Sequence, residues 1–156
     1  MYINLTIQDG TMTDEISIEN KKELIKKQGA FSSLNDSEID VLVTLLVEKR
    51  FAPGDIIVKQ GDRVDSVYII VSGSADVLVT KRENNQSVTE KVFTLTDGKS
   101  IGLNDRGFYS ITGLRTATVK ATTEVVTLKL SVAMFRGFAL AYPHASEVMR
   151  EQAARL

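Results

Sequence analysis

The sequence predicts a mainly β protein with flanking helices, and three observations carry that expectation. Between Phe51 and Leu130, short β-branched segments of period two recur, most of them set off by a Gly-, Pro- or Asn-containing turn and the last two joined by Thr122-Thr123-Glu124. Such spacing describes a small antiparallel barrel or sandwich. On either side, in residues 17–50 and 131–156, the apolar period changes to three or four, as a single buried helix face requires. The chain has 156 residues, enough for one domain that buries roughly 68–70% of its unfolded surface.

Residues 1–16 show no sustained period and are expected to form a tail. From Ser17 the pattern is helical, with Ile18, Leu24 and Ile25 set against Glu19, Lys21, Lys22, Lys26 and Lys27, and Gly29 placed to end the helix. The lysines read as an ordinary solvated face. Asn35-Asp-Ser-Glu38 has the form of a capping box, so a second helix starts near Asp36. Its face is Ile39, Leu42, Val43, Leu46 and Val47, Glu48-Lys49-Arg50 should end it, and it should pack on a sheet.

From Phe51 the β pattern begins. Pro53-Gly54 and Gly61-Asp62 are turns around the strand Ile56-Ile-Val58, Val67 to Val71 and Ala75 to Thr80 flank a bend at Ser72-Gly73, and Asn84-Asn85-Gln86 is a hairpin loop before Val88 to Leu95. Thr116 to Ala121 and Val125 to Leu130 are two further strands. Ser131 caps a helix with Met134, Phe135, Phe138 and Leu140 on its apolar face, and Tyr142-Pro143 breaks it. A last helix is expected over Ala145 to Leu156; it stops without a terminating signal, so the chain reads as a fragment.

Composition narrows the function. There is no cysteine, which excludes disulfides and thiolate sites and fits a reducing, cytoplasmic compartment. Nineteen basic and twenty acidic residues give a net charge of −1, so direct nucleic-acid binding is disfavoured. The apolar runs are too short to span a bilayer, and no basic region followed by a hydrophobic one opens the chain. No nucleotide-loop, nucleophile-elbow or zincin motif occurs, and His144, the single histidine, follows Pro143 at a helix junction, where a cap or surface role is expected. The chain is not expected to be an enzyme, and no cofactor or metal is expected.

The stretch with chemical content is residues 95–119. It opens on an Asp97-Gly98 turn, places Gly102 where a backbone can approach a ligand closely, and ends in Arg115 at the mouth of a strand. Glycine-containing bends present N–H groups, and a guanidinium supplies a bidentate fork for phosphate oxygens. An arginine paired with Asp97 or Asp105 is the competing structural role.

Phe51-Ala-Pro-Gly-Asp-Ile-Ile-Val-Lys-Gln-Gly-Asp62, Val67-Tyr-Ile-Ile-Val-Ser-Gly73 and Arg115-Thr-Ala-Thr-Val-Lys-Ala121 resemble, in order and spacing, the cyclic nucleotide-binding domain family, over roughly residues 31–156. The resemblance implies a jelly-roll-like β-roll over 51–130, N-terminal helices over 17–50 and two C-terminal helices over 131–156, the last closing over the purine. It implies that 95–119 is the phosphate-binding cassette, with Gly102, Leu103, Asn104, Arg115, Thr116 and Ala117 as site residues and Arg115 on the cyclic phosphate. Two departures stand out: Leu103 occupies the position of the family's glutamate, which holds the ribose 2′-hydroxyl, and the span from Gly102 to Arg115 is about three residues longer than usual. Asn104 or Asp105 as acceptor, or Phe108-Tyr109 as a base platform, would compensate.

Two functions follow. In the first, cAMP in preference to cGMP enters the cassette and the C-terminal helices move, passing a signal to an effector domain or partner protein. In the second, the cassette is degenerate and the roll is a scaffold or homodimerisation surface that binds no nucleotide.

Overall fold

A computed structural model describes residues 3–8, 11–104, 107–108 and 113–145. The first sixteen residues depart from the expected tail: β1 (Ile3–Gln8) and β2 (Thr11–Ile16) pair antiparallel from Ile3 with Ile16 to Gln8 with Thr11. That register leaves two residues between the strands, and their sequence, Asp9-Gly10, is a hairpin signal that outweighs the weak periodicity around it.

Helix α1 (Ile18–Lys26) begins where Ser17 Oγ accepts from the Asn20 N–H at 3.2 Å. It ends before Gly29, and a 3₁₀ turn over Gly29–Phe31 follows. The capping box of α2 (Asp36–Leu45) forms as read: the Glu38 N–H donates to Asn35 Oδ1, and the Asn35 N–H donates back to Glu38 Oε1, both at 2.8 Å. The end of α2 differs. Instead of continuing to Arg50, the chain turns extended at Leu46 and forms β3 (Val47–Phe51). Val47 is 61% exposed and so contributes nothing to the helix face, whereas residues 47–51 gain a full ladder against a later strand. Tertiary pairing overrides the local period here.

The strands β4 (Ile56–Val58), β5 (Ser66–Ser72), β6 (Ala75–Glu83) and β7 (Gln86–Leu95) follow. Between β6 and β7 lie Asn84 and Asn85 at φ 51° and 66°, the conformation of a two-residue type I′ hairpin. Three two-residue strands come next: β8 (Ser100–Ile101), β9 (Leu103–Asn104) and β10 (Gly107–Phe108). Then come β11 (Thr118–Ala121), β12 (Val125–Ser131) and α3 (Val132–Ala141).

Among the described residues, two four-stranded antiparallel sheets, ordered β4-β11-β6-β7 and β3-β12-β5-β8, face each other as a β-roll. Both faces of β5 are buried because its alternation serves two cores. Tyr68 and Ile70 join Phe51, Val77, Val119 and Val125 between the sheets. Val67, Ile69 and Val71 point the other way and pack with Val126, Leu128 and Leu130 against Leu24, Ile25, Ile39, Leu42 and Val43 of the helices. The expectation that α2 packs on a sheet is met through this outer core.

Helix α3 is capped by Ser131 Oγ, which accepts from the Met134 N–H at 3.3 Å, and it ends before Tyr142. Phe135 and Phe138 face inward as expected. Met134 and Leu140 do not; Leu140 is 85% exposed, because a helical period places it on the opposite side from Phe138. Successive ring contacts join Phe31 to Phe135, Phe135 to Phe138 and Phe138 to Tyr142 at centroid separations of 5.8, 5.7 and 5.2 Å. Residues 143–145 are helical, and the remainder of the expected last helix lies outside the described residues.

Candidate functional site

A cavity of about 400 Å³ opens between β7, the β8–β9 bend and the segment leading into β11. Its walls are Val58, Val64, Val77, Val79, Val92, Phe93, Leu95, Ile101, Leu103, Leu114, Ala117 and Val119, with Ser100, Gly102, Arg115 and Thr116 supplying the polar or backbone surface. One charged side chain, Arg115, thus stands in an otherwise apolar concavity among the described residues.

Local backbone geometry explains how Arg115 arrives there. The strand expected from Thr116 begins only at Thr118, because the preceding segment is bound elsewhere. Arg63 and Leu114 form an isolated antiparallel bridge, the Arg115 N–H donates to Asp62 O at 2.7 Å, and the Gly61 N–H donates to Arg115 O at 2.9 Å. This pairing turns the Arg115 side chain inward, where it is 7% exposed.

Inside, Arg115 Nη2 donates to Ser66 O at 2.7 Å and lies 3.8 Å from Asp65 Oδ1. Nη1 is buried and has no hydrogen-bond partner among the described residues. Burial pushes the guanidinium pKa down, while Tyr68, Asp65 and Asp62 hold it up. A buried cation with a free N–H is costly, and an anion in the cavity would relieve that cost. Asp97, one of the two expected structural partners, is occupied: its Oδ1 accepts from the Gly73 N–H at 2.9 Å. Asp105, the other, lies outside the described residues.

Gly102 is required where it stands. Its φ is +83°, and a Cβ there would lie 2.9 Å from Arg115 Nη1 and 3.3 Å from Val67 Cγ1. The positive φ also breaks the strand alternation. Ile101 points into the roll, and Leu103, two residues on, points into the helix-side core with Phe31, Phe135 and Phe138. Ser100 Oγ donates to Leu103 O at 3.1 Å and closes the bend.

The sequence-derived residues are therefore partly assembled. Gly102, Leu103, Arg115, Thr116 and Ala117 all line the cavity, with Thr116 exposed and Arg115 buried. The Asn104 side chain and Tyr109 lie outside what is described, and Phe108 is described only as backbone paired with Leu103. Sequence reasoning missed Val64, Leu114, Val92 and Phe93 as walls. The signal for the last two is a bulge: Val77 pairs with Phe93 and Leu78 with Lys91, so Val92 is the extra residue, and a bulge re-aims side chains. Among the described residues no group of three His, Asp or Glu side chains is placed to hold a metal, and no helix is long and apolar enough to cross a membrane.

Residues 48–142 match the family model of the cyclic nucleotide-binding domain. The chain belongs to the cyclic nucleotide-binding domain family. It is 36% identical over 106 residues to a cAMP-dependent protein kinase regulatory subunit of Dictyostelium discoideum, covering 68% of this chain and 31% of that protein. To a cGMP-dependent protein kinase of Plasmodium berghei it is 33% identical over 123 residues, covering 79% of this chain and 13% of the relative. Among solved structures, the regulatory subunit of a cAMP-independent protein kinase A from Trypanosoma brucei superposes with a TM-score of 0.64 at 26% identity, over 88% of this chain and 47% of that one. The chain thus spans about a third or less of these two curated relatives, and the β-roll is the fold shared with them.

Proposed function

We propose that this domain is a ligand-sensing regulatory module that binds a cyclic nucleotide, cAMP in preference to cGMP, and answers by moving its C-terminal helices. The observation that carries the reading is the Arg115 guanidinium, buried at the head of an apolar cavity with Nη1 unpartnered among the described residues. A cyclic phosphate supplies the missing acceptor, and the apolar walls take the purine. The preference for adenine follows the likeness to the Dictyostelium regulatory subunit, with the Plasmodium cGMP-dependent kinase making cGMP the competitor to test.

Leu103 supports the coupling. It lines the cavity and also packs in the core that holds Phe31, Phe135 and Phe138, so a ligand that shifts the β8–β9 bend presses on the surface against which α3 rests. Differential affinity for two arrangements of those helices is the source of the signal. The receiver is an effector domain or partner protein reached through the C-terminal helices, with homodimerisation as an alternative use of the same surface.

A second reading is favoured by a separate observation. Arg115 Nη2 already has Ser66 O and, more distantly, Asp65, and Leu103 presents no hydrogen-bonding side chain. On this account the roll is a scaffold without ligand, in line with the likeness to the regulatory subunit of a cAMP-independent protein kinase A. Calorimetric titration of cAMP and cGMP into the chain and into Arg115→Met decides. Saturable binding lost in the variant supports the sensor; no heat at millimolar nucleotide supports the scaffold.

A further inference from the structure

We propose that Gln60 is a positioning residue of the cavity: its side-chain amide bridges the gap where β6 and β11 part, and so holds the Val79 wall in place against the segment that carries Arg115. The inference rests on the reading of the cavity as a nucleotide site, and it names a residue outside the lining on which the width of that site depends.

Strands β6 and β11 pair from Ala75 with Ala121 to Leu78 with Thr118. Continued in the same antiparallel register, the ladder would set Thr116 opposite Thr80. It stops because the chain before β11 is committed elsewhere: Leu114 bridges Arg63, the Arg115 N–H donates to Asp62 O, and Arg115 O accepts from the Gly61 N–H. The cavity lies at this parting, with Thr116 and Ala117 on one side and Val79 on the other. Thr80 turns its backbone to Gln60 instead. Its N–H donates to Gln60 Oε1 at 2.8 Å, and its carbonyl accepts from Gln60 Nε2 at 2.9 Å.

A carboxamide offers one donor side and one acceptor side, as a backbone residue does, so the Gln60 side chain supplies the rung that Thr116 would have made. The backbone of Gln60 is fixed to the departing segment: its N–H donates to Thr118 Oγ1 at 3.0 Å, and the next N–H, that of Gly61, donates to Arg115 O at 2.9 Å. One residue thus ties the backbone that carries Arg115 to the strand that carries Val77 and Val79. That strand in turn pairs with β7, which brings Val92 and Phe93 to the same wall. Without the rung, β6 and β7 beyond Leu78 are a two-stranded ribbon, which is marginally stable by itself. A ligand that touches both walls then finds only a fraction of molecules with the gap at the right width, and its apparent affinity falls by that fraction.

The test combines amide exchange by NMR with calorimetric titration of cAMP, on the full chain, for wild type, Gln60→Met and Thr89→Val. Methionine keeps the length of glutamine and removes its donor and acceptor. Thr89→Val is the control: it deletes the hydroxyl contact of Thr80 Oγ1 with Thr89 Oγ1 at 2.8 Å and leaves Gln60 untouched. Gln60→Met should speed exchange of the Thr80 and Gly61 N–H groups and weaken cAMP binding about three- to tenfold. Thr89→Val should change affinity by no more than about twofold. An equal loss of affinity in the two variants would reduce Gln60 to general support of β6 and overturn the inference, as would an unchanged Kd in Gln60→Met; either result leaves the nucleotide reading standing. Should the wild type bind no cAMP at millimolar concentration, that reading falls and exchange decides alone: faster exchange at Gly61, across the gap from Thr80, supports the rung as the link between the walls, and unchanged exchange overturns it. If Gln60→Met does not fold, Gln60→Glu takes its place with the same expectations, since it keeps the acceptor for the Thr80 N–H and loses the donor to Thr80 O.

Discussion

Substituting Gly102 by Ala, with Gly113→Ala as the control, separates backbone strain from the state of the arginine. Both glycines have positive φ, +83° and +79°, but a Cβ at Gly113 meets nothing within 4 Å, whereas at Gly102 it meets Arg115 Nη1 at 2.9 Å. The strain of a left-handed alanine is common to the two, about 1–2 kcal/mol, or about 2–8 °C in Tm for a chain of this length. Only Gly102→Ala also displaces the guanidinium, which is held on its other side by Ser66 O at 2.7 Å. Moving it weakens that bond and misdirects Nη1, and a charge-assisted contact to a ligand anion is worth about 1.5–3 kcal/mol, roughly tenfold to a hundredfold in affinity. The assay is calorimetry for Kd alongside thermal unfolding for stability. Gly113→Ala should bind within threefold of wild type, and Gly102→Ala should lose tenfold or more. Equal affinities in the two variants would refute the placement of the anion at Arg115 Nη1.

Other outcomes follow from the same structure. Arg115→Met removes a buried, half-paired charge and keeps its volume but takes the donor from Ser66 O, so folding stability should fall by no more than about 1–3 kcal/mol in chemical denaturation; a loss above about 3 kcal/mol would mark the arginine as structural. His144→Ala should cost about 1–3 kcal/mol, because Glu38 is buried and its Oε2 meets His144 Nδ1 at 2.9 Å; an unchanged midpoint would show that the contact between α2 and the C-terminal segment is idle. The Lys22 pKa is raised, first by its hydrogen bond to Asp40 at 2.8 Å. Its contribution is therefore complete at neutral pH and fades as pH climbs through the raised value, so wild type and Lys22→Gln should converge in an alkaline unfolding series. Finally, saturating cyclic nucleotide should alter amide exchange across residues 132–145; protection unchanged there would sever the site from the helices.

Much of the fold was legible because its determinants are local. The Asn35–Glu38 capping box, the Ser131 cap, the Asn84-Asn85 hairpin and the positive-φ glycines each encode their own geometry within four residues. The errors arose where distant chain decided. Residues 47–50 carry a helix-compatible pattern but are taken as a strand by β12, and the strand expected at Thr116 is delayed by pairing with residues 61–64.

The site follows the same division. Gly102 and Arg115 announce themselves by residue type, since only glycine tolerates that φ beside a guanidinium. The partners of Arg115 could not be read: proximity in sequence pointed to Asp97 and Asp105, while the roll brings Ser66 and Asp65 from about fifty residues upstream. Nor could the direction of Leu103, which depends on a single backbone angle at its neighbour.

The central claim is that the buried Arg115 guanidinium is an anion receptor for a cyclic nucleotide, and thermal unfolding of the wild-type chain and Arg115→Met, each with cAMP and with cGMP, tests it most directly. Ligand at a hundred times its Kd stabilises by about 2.7 kcal/mol, which at this chain length raises Tm by about 5–11 °C. The account predicts that rise in the wild type, larger for cAMP at equal concentration, and its disappearance in Arg115→Met. Flat curves for the wild type with both nucleotides at millimolar concentration, or an equal rise in the variant, would contradict it.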